Sequence, residues 1–269
     1  MVGSQLLIGF LLAGAMGVAA WHAKSLNSSG VWAAVLTGGL IFGLGGFAWA
    51  ILLVVFFISS SALSRMFKER KSSLGEKFEK GSKRDWGQVF ANGGFGTILV
   101  ITHAILPGQS WPWIAYAGAM ATVSTDTWAT EIGVLSRAAP RLITTGRVVE
   151  RGTSGGVTTL GTLATVAGGV LIGLLAGAVS SEISLLTGIA VVGLAGLAGS
   201  LLDSALGATV QAIYYCPHDN KETEQHPLHR CGWPTKLSRG WPWLNNDMVN
   251  FISSVFGGGV AVGFWLLLA

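Results

Sequence analysis

The chain has 269 residues, of which 51% are hydrophobic and only 11% charged, with a formal net charge of +4. Soluble domains carry about a quarter charged residues, so an ordinary water-soluble fold is excluded. The excess positive charge lies in polar segments between apolar runs. There it speaks to membrane topology and to anionic ligands, and no nucleic-acid partner is expected.

Apolar runs long enough to span a bilayer recur along the chain. Lipid offers the backbone no hydrogen-bond partner, so the choice is a helical bundle or a closed barrel. Period-two alternation is absent, which excludes the barrel. The expectation is an all-α, polytopic transmembrane bundle of seven or eight helices, one integral membrane domain over residues 1–269, with cytoplasmic loops near 65–86, 136–156 and 215–245. The 39 glycines suit close helix packing, and Gly169, Gly173 and Gly177 form a small-residue ridge. Two cysteines are too few for a disulfide framework.

Leu6–Ala20 reads as the first helix, retained because it lacks the basic flank of a signal peptide. Val31–Leu63 is apolar for 33 residues. A straight helix of that length measures about 50 Å against a hydrocarbon core of about 30 Å. The Gly45-Gly46 pair near its middle predicts two short helices in a hairpin, with one long tilted helix as the alternative. Arg65–Asp85 holds eight Lys/Arg and four acids, which places it in the cytoplasm. Lys83-Arg84-Asp85 runs directly into Gln88 and Asn92, whose spacing of four puts both on one helix face. That amide pair is either polar glue between helices or part of a ligand site.

Gly93–Leu106 is the next span, Pro107-Gly108 a turn, and Trp111 and Trp113 fit an interfacial aromatic belt. Trp113–Leu135 returns with Asp126 and Glu131 at its inner end. The loop that follows carries Arg137, Arg141, Arg147 and Arg151 and closes on Gly152-Thr153-Ser154-Gly155-Gly156. Val157–Val179 goes out and Ile183–Tyr214 comes back. On the latter, Ser200, Asp203, Ser204, Gly207 and Gln211 share a face. Tyr215–Leu244 is a third polar loop with Cys216, His218, His226, His229 and Cys231. Asn246 or Asp247 can cap the last span, Met248–Leu268, while Asn250 lies one turn inside.

Acids inside a membrane are expensive and mark sites by default. Asp126, Asp203 and Asp247 come from three helices at the same face, with Glu131 as a fourth. Such carboxylates, flanked by basic groups, fit a Mg²⁺–phosphate centre. Lys83, Arg84 and Arg141 are candidate phosphate clamps. Gly152, Thr153, Gly155 and Gly156 open a helix whose free N–H groups can hold an anion, although no Walker A sequence is present. Gln88, Asn92, Asn246 and Asn250 are candidates for orienting phosphates or a base. Cys216, His218, His229 and Cys231 have the look of a zinc knuckle, but Asp219 stands where Cys-x-x-Cys spacing would place a cysteine. Both a zinc-bound and a metal-free loop stay open.

Taken together, SSSALSR near Ser61, QVFANGG at Gln88, the STDTWATEIG–LS–PRLIT–GTSGGV block, GSLLDSALGATVQ around Asp203 and NNDMVNFISS at Asn246 resemble the integral-membrane DUF92/TMEM19-type family. Its best-understood branch is phytyl-phosphate kinase of tocopherol biosynthesis. The resemblance implies phosphoryl transfer from a nucleoside triphosphate, often CTP, to a prenyl monophosphate, yielding the diphosphate for tocopherol, phylloquinone or other prenyl lipids. It also implies a site built on Asp126, Glu131, Asp203, Asp247 and the glycine block. On this reading Asp126, Glu131, Asp203 and Arg141 carry catalysis, and Asp126, Asp203 and Asp247 hold Mg²⁺. Two other readings stay open: a membrane cytidylyltransferase or polyprenol kinase with another acceptor, and a lipid transporter. Oligomeric state stays open as well.

Overall fold

The computed structural model describes residues 2–67 and 83–268. Seven helices cover the apolar runs: α1 (Val2–His22), α2 (Ser28–Met66), α3 (Trp86–Ile105), α4 (Trp111–Gly133), α5 (Thr159–Val179), α6 (Leu185–Thr209) and α7 (Asn246–Leu268). All but α4 are long and apolar enough to cross a membrane.

The 39 residues of α2 do not form one rod. Gly46 adopts φ 74°, ψ −160°, a region essentially closed to residues with a Cβ. Before it, the chain runs antiparallel to α1: Gln5 Nε2 donates to the Phe42 carbonyl at 3.2 Å, and a Cβ on Gly9 would lie 2.8 Å from the Gly39 carbonyl oxygen. After it, the chain runs alongside α4 in the same direction. Tyr116 Oη donates to Trp49 O at 2.7 Å, Trp128 Nε1 to Ser59 Oγ at 3.2 Å, and Ser64 Oγ to Glu131 Oε1 at 2.6 Å. The last turn returns to the start: the Arg65 guanidinium donates to Ala23 O and, at 3.2 Å, to Ser25 Oγ. α2 is therefore the hairpin that Gly45-Gly46 predicts, and not one long tilted helix.

α4 is the central pillar. It packs against α2, α3, α5, α6 and α7, and every residue from Pro112 to Thr125 is buried. Trp113 is therefore core, set edge-on to Trp49 and tilted against Tyr116, and is no part of an interfacial belt. Because α4 sees protein on all sides, it tolerates Thr122, Ser124, Thr125 and Asp126 where a lipid-facing helix would not.

α5 and α6 cross backbone to backbone: a Cβ on Gly173 would sit 2.6 Å from the Gly188 carbonyl oxygen, and one on Gly177 would sit 2.7 Å from Leu185 Cα. At that crossing α6 passes through a π-helical stretch, Gly188–Val192. Its helix ends at Thr209, so the expected run to Tyr214 is too long. Ile213–Cys216 is instead strand β3. It pairs antiparallel with β4 (Lys221–Thr223) and β5 (Lys236–Arg239). In the α4–α5 loop, β1 and β2 (Arg141–Leu142, Gly156–Val157) form a two-residue ladder. Asn245 caps α7, accepting from Met248 N at 3.1 Å. Asn246 and Asp247 are thus inside the helix, not its cap.

The connectivity gives two unlike ends. Every Lys and Arg among the described residues falls at one end, in the α1–α2, α2–α3, α4–α5 and α6–α7 connections or the last turn of α2. The links at the other end, 106–110 and 180–184, carry none.

Gly46→Ala forces a Cβ into a glycine-only conformation, at a cost on the order of 1–3 kcal/mol. The variant is expected to melt lower than the parent in a detergent thermal-unfolding assay. Gly259→Ala, where nothing lies within 4 Å of the added Cβ, serves as the control and should not melt lower.

Candidate functional site

The site begins one helical turn away from a three-helix contact. Thr122 of α4 lies against Gly199 of α6 and Gly257 of α7: Cβ atoms there would fall 2.3 and 1.9 Å from Thr122 Oγ1. Next to it, Thr125 Oγ1 donates to Gly196 O at 2.9 Å. Four residues on from Thr122 is Asp126, four on from Gly199 is Asp203, and seven back from Gly257 is Asn250. One or two turns at about 5.4 Å each therefore bring all three to the same level at the charged end.

They line a cavity of about 500 Å³. Arg84, Gln88 and Asn92 border it from α3 and its lead-in; Asp126, Thr127, Thr130 and Glu131 from α4; Ser200, Asp203 and Ser204 from α6; Asn246, Asp247 and Asn250 from α7. Gly152, Thr153, Gly155 and Gly156 line it from the α4–α5 loop.

Its charges are mixed and close. Asp203 feels the negative charges of Asp126 and Glu224, and its Oδ2 is buried without a hydrogen-bond partner among the described residues. Glu131 is buried and accepts from Ser64. Arg84 donates to Ser61 Oγ at 3.0 Å, and its guanidinium lies 5.6 Å from the centre of the Phe57 ring. Desolvation pulls the Arg84 pKa below its usual value, and the Glu131 carboxylate opposes that shift. The guanidinium stays charged at neutral pH.

The glycine block is a turn held against α6. Gly152 and Gly155 have φ of 80° and 79°, and a Cβ on Gly155 would clash with Ala208 at 2.5 Å. Gly156 belongs to β2, and α5 starts only at Thr159, capped by Thr158, which accepts from Gly161 N at 3.0 Å. The block therefore reaches the cavity as a tight loop and not as the first turn of the helix.

Two expected clamps do not reach it. Arg141 is exposed in β1, where its guanidinium donates to the Gly146 carbonyl at 2.9 Å within its own hairpin. Lys83 is exposed and outside the lining. The arginine of the α4–α5 loop that does line the cavity is Arg151, tied back by a 2.6 Å bond to Ser136 O. Gln88 lines the cavity but is also half of a capping box with Asp85. The residue that sequence reasoning missed altogether is Glu224, which accepts from Ser154 Oγ at 2.8 Å and Gln211 Nε2 at 2.9 Å. It sits in a charged surface loop with no apolar context to mark it.

Within the Cys/His loop Glu224 lines the cavity, whereas Cys216, His218, His229 and Cys231 stand outside the lining. His218 leaves its expected place in the cluster: it stacks on Trp233 with centroids 5.2 Å apart and hydrogen-bonds Asp219. That bond holds the Asp219 carboxyl below its usual pKa. Asp219, and not His218, stands with Cys216, His229 and Cys231.

A second cavity, of about 340 Å³, runs between α1, α2 and α3. Its walls are apolar, among them Leu12, Met16, Phe47 and Val54. Arg84, Gln88 and Asn92 line both cavities.

Residues 11–258 match the family profile described as integral membrane protein DUF92. Protein PGR of Arabidopsis thaliana is 35% identical over 271 residues, covering 93% of this chain and 92% of PGR. An uncharacterized membrane protein of Methanocaldococcus jannaschii is 33% identical over 261 residues, covering 96% and 93%. Protein VTE6, chloroplastic, of Arabidopsis thaliana is 27% identical over 243 residues, covering 88% of this chain and 64% of VTE6. No solved structure matches. With the profile spanning nearly the whole chain and two relatives above 30% identity over most of their length, the chain belongs to the DUF92 family of integral membrane proteins.

Proposed function

We propose that this protein is a membrane kinase that passes a phosphoryl group from a nucleoside triphosphate, CTP or another, to a prenyl monophosphate such as phytyl phosphate. The observation that carries this reading is the junction of two unlike cavities at Arg84, Gln88 and Asn92. A prenyl phosphate is itself two unlike halves. Its tail suits the apolar cavity, and its head then falls beside Arg84 in the polar one. The match to the kinase branch's motifs supports the same substrate class. The one-sided distribution of Lys and Arg supports a polar end that faces the cytoplasm or its stromal equivalent, where nucleotides are found.

The reaction asks little covalent chemistry of the protein. An oxygen of the acceptor phosphate attacks the γ-phosphorus, a P–O bond forms, and the bond to the β-phosphate oxygen breaks, releasing the nucleoside diphosphate. The acceptor is already an anion, so no strong base is needed, and positioning with charge neutralisation dominates. The carboxylates of Asp126 and Asp203, with Asp203 Oδ2 lacking a hydrogen-bond partner among the described residues, fit Mg²⁺, and Asp247 and Glu131 border the same space. When bound, Mg²⁺ would offset charge on the phosphates. Arg84 holds the acceptor head, Arg151 and the Gly152–Gly156 turn face the donor phosphates, and Asn246 and Asn250 orient them.

Labelled CTP and ATP, supplied with phytol, phytyl phosphate or phosphatidic acid to the purified protein, should label phytyl phosphate alone. Labelling only phytol or phosphatidic acid would make it a polyprenol kinase or a cytidylyltransferase. No turnover in detergent would favour transport. Asp126→Asn and Asp203→Asn should each lower diphosphate formation by about 100-fold or more, with the melting profile retained. Variants within a few-fold of the parent would remove these acids from the site.

Ala34 lines the apolar cavity. Ala34→Phe should raise KM for a long prenyl phosphate and leave a five-carbon prenyl phosphate unaffected. An equal effect on both would place the tail elsewhere.

A further inference from the structure

Cys216 ends β3, Asp219 lies in the β3–β4 turn, and His229 and Cys231 belong to a second turn in which Gly232 N bonds His229 O at 2.8 Å. These two turns bring four donor atoms together, all within 4.8 Å of one another. The Cys216 and Cys231 sulfurs are 3.6 Å apart, His229 Nδ1 is 3.3 Å from Cys231 Sγ, and it is 3.0 Å from Asp219 Oδ2. Zinc bonds of about 2.3 Å to sulfur and about 2.1 Å to nitrogen and oxygen give tetrahedral edges of about 3.8 Å for S–S, 3.6 Å for S–N and 3.4 Å for N–O. Each observed edge is within a few tenths of an ångström of that figure. A disulfide would need sulfurs at about 2.05 Å, and both cysteines are free.

The cluster also makes poor sense as plain hydrogen bonding. His229 is buried, and its Nδ1 faces a carboxylate oxygen and a sulfur at once. A neutral imidazole has at most one proton on that nitrogen. A cation at the centre serves all four groups together. Two thiolates, an imidazole and a carboxylate form a closed set with no open position, which is the pattern of a structural and not a catalytic zinc.

We infer that Cys216, Asp219, His229 and Cys231 bind a structural zinc ion that locks the α6–α7 loop over the polar cavity. The lock has a defined target. Asp219 precedes β4, whose pairing with β3 sets Lys221 opposite Cys216 and Thr223 opposite Tyr214. The next residue, Glu224, takes the hydrogen bonds of Ser154 and Gln211 in the cavity. Fixing the turn at Asp219 therefore fixes Glu224, and through Ser154 the glycine turn. This inference does not depend on the kinase reading.

The test is the metal content of the full chain purified in detergent without chelators or a metal-affinity step. The parent should carry about one zinc per chain. Cys231→Ser and Asp219→Ala should fall below about a tenth of that, while His218→Ala keeps it. Cobalt exchanged into the parent should show thiolate-to-metal charge-transfer absorption, a readout that needs no variant to fold. Chelation should open the 217–235 segment to limited proteolysis. The inference fails if the parent holds no zinc and binds no cobalt, or if its mass is two hydrogens short, as for a Cys216–Cys231 disulfide. It fails equally if His218→Ala loses the metal while Asp219→Ala retains it.

Discussion

Thr122 is the point on which the arrangement turns. Its side chain fills the space where α4, α6 and α7 come closest, and glycines at 199 and 257 make that space. Lipid supplies no hydrophobic drive between helices, so association rests on close packing and polar contacts. Thr122 serves both: Oγ1 donates to its own helix at Gly118 O, 3.0 Å away, and also lies 3.5 Å from Ala195 O of α6. A larger residue at either glycine would push two helices apart and carry Asp126, Asp203 and Asn250 out of register. Packing one turn away thus sets where the backbones of Asp126 and Asp203 lie, and among the described residues Asp203 Oδ2 has no hydrogen-bond partner.

Charge then decides which end works. Asp126, Asp203, Asp247, Glu131 and Glu224 share one cavity wall system with Arg84 and Arg151. Like charges at this spacing repel, and the desolvated setting strengthens the repulsion. The arginines offset part of it from the rim. A divalent cation among the carboxylates would offset the rest, and the resulting surface is suited to polyphosphate. The opposite end, without Lys or Arg in its links, has no such resource.

Much of this was legible in the sequence where the signal is one of cost. Gly45-Gly46 in an apolar run too long for the bilayer pointed to the fold-back at Gly46. Asp126 and Asp203 stood out because acids in apolar helices are rare, and helical spacing grouped Ser200, Ser204 and Gln211 with Asp203. Where cost gives no signal, reading failed. A surface arginine is cheap whether or not it faces a site, so Arg141 and Arg151 looked alike, and only the β1–β2 hairpin separates them. Glu224 was hidden for the same reason. The helix stops at Thr209, short of the expected Tyr214, and the aromatic and β-branched residues Ile213-Tyr214-Tyr215 fit a strand better. His218 was chosen over Asp219 on residue type, whereas turn geometry selects the residue three after Cys216.

The two cavities differ in which elements wall them. The apolar cavity is walled by α1 and the α2 hairpin, the elements furthest along the chain from α7, while the polar cavity is walled by α4, α6, α7 and the loops. Among the described residues, only Gln88 and Asn92 of α3, with Arg84 just before it, line both. A lipid substrate and a water-soluble one would therefore enter from different media and need share only that short face. The capping box of Asp85 and Gln88, together with Arg84 N bonded to Ser25 O and Asn27 N bonded to Arg84 O at 3.0 Å each, fixes the face to the start of α2. The hairpin at Gly46 thus does more than shorten a helix. By returning α2 to its own origin it closes the wall of the apolar cavity and, through Ser61, holds the Arg84 guanidinium at the boundary between the two cavities.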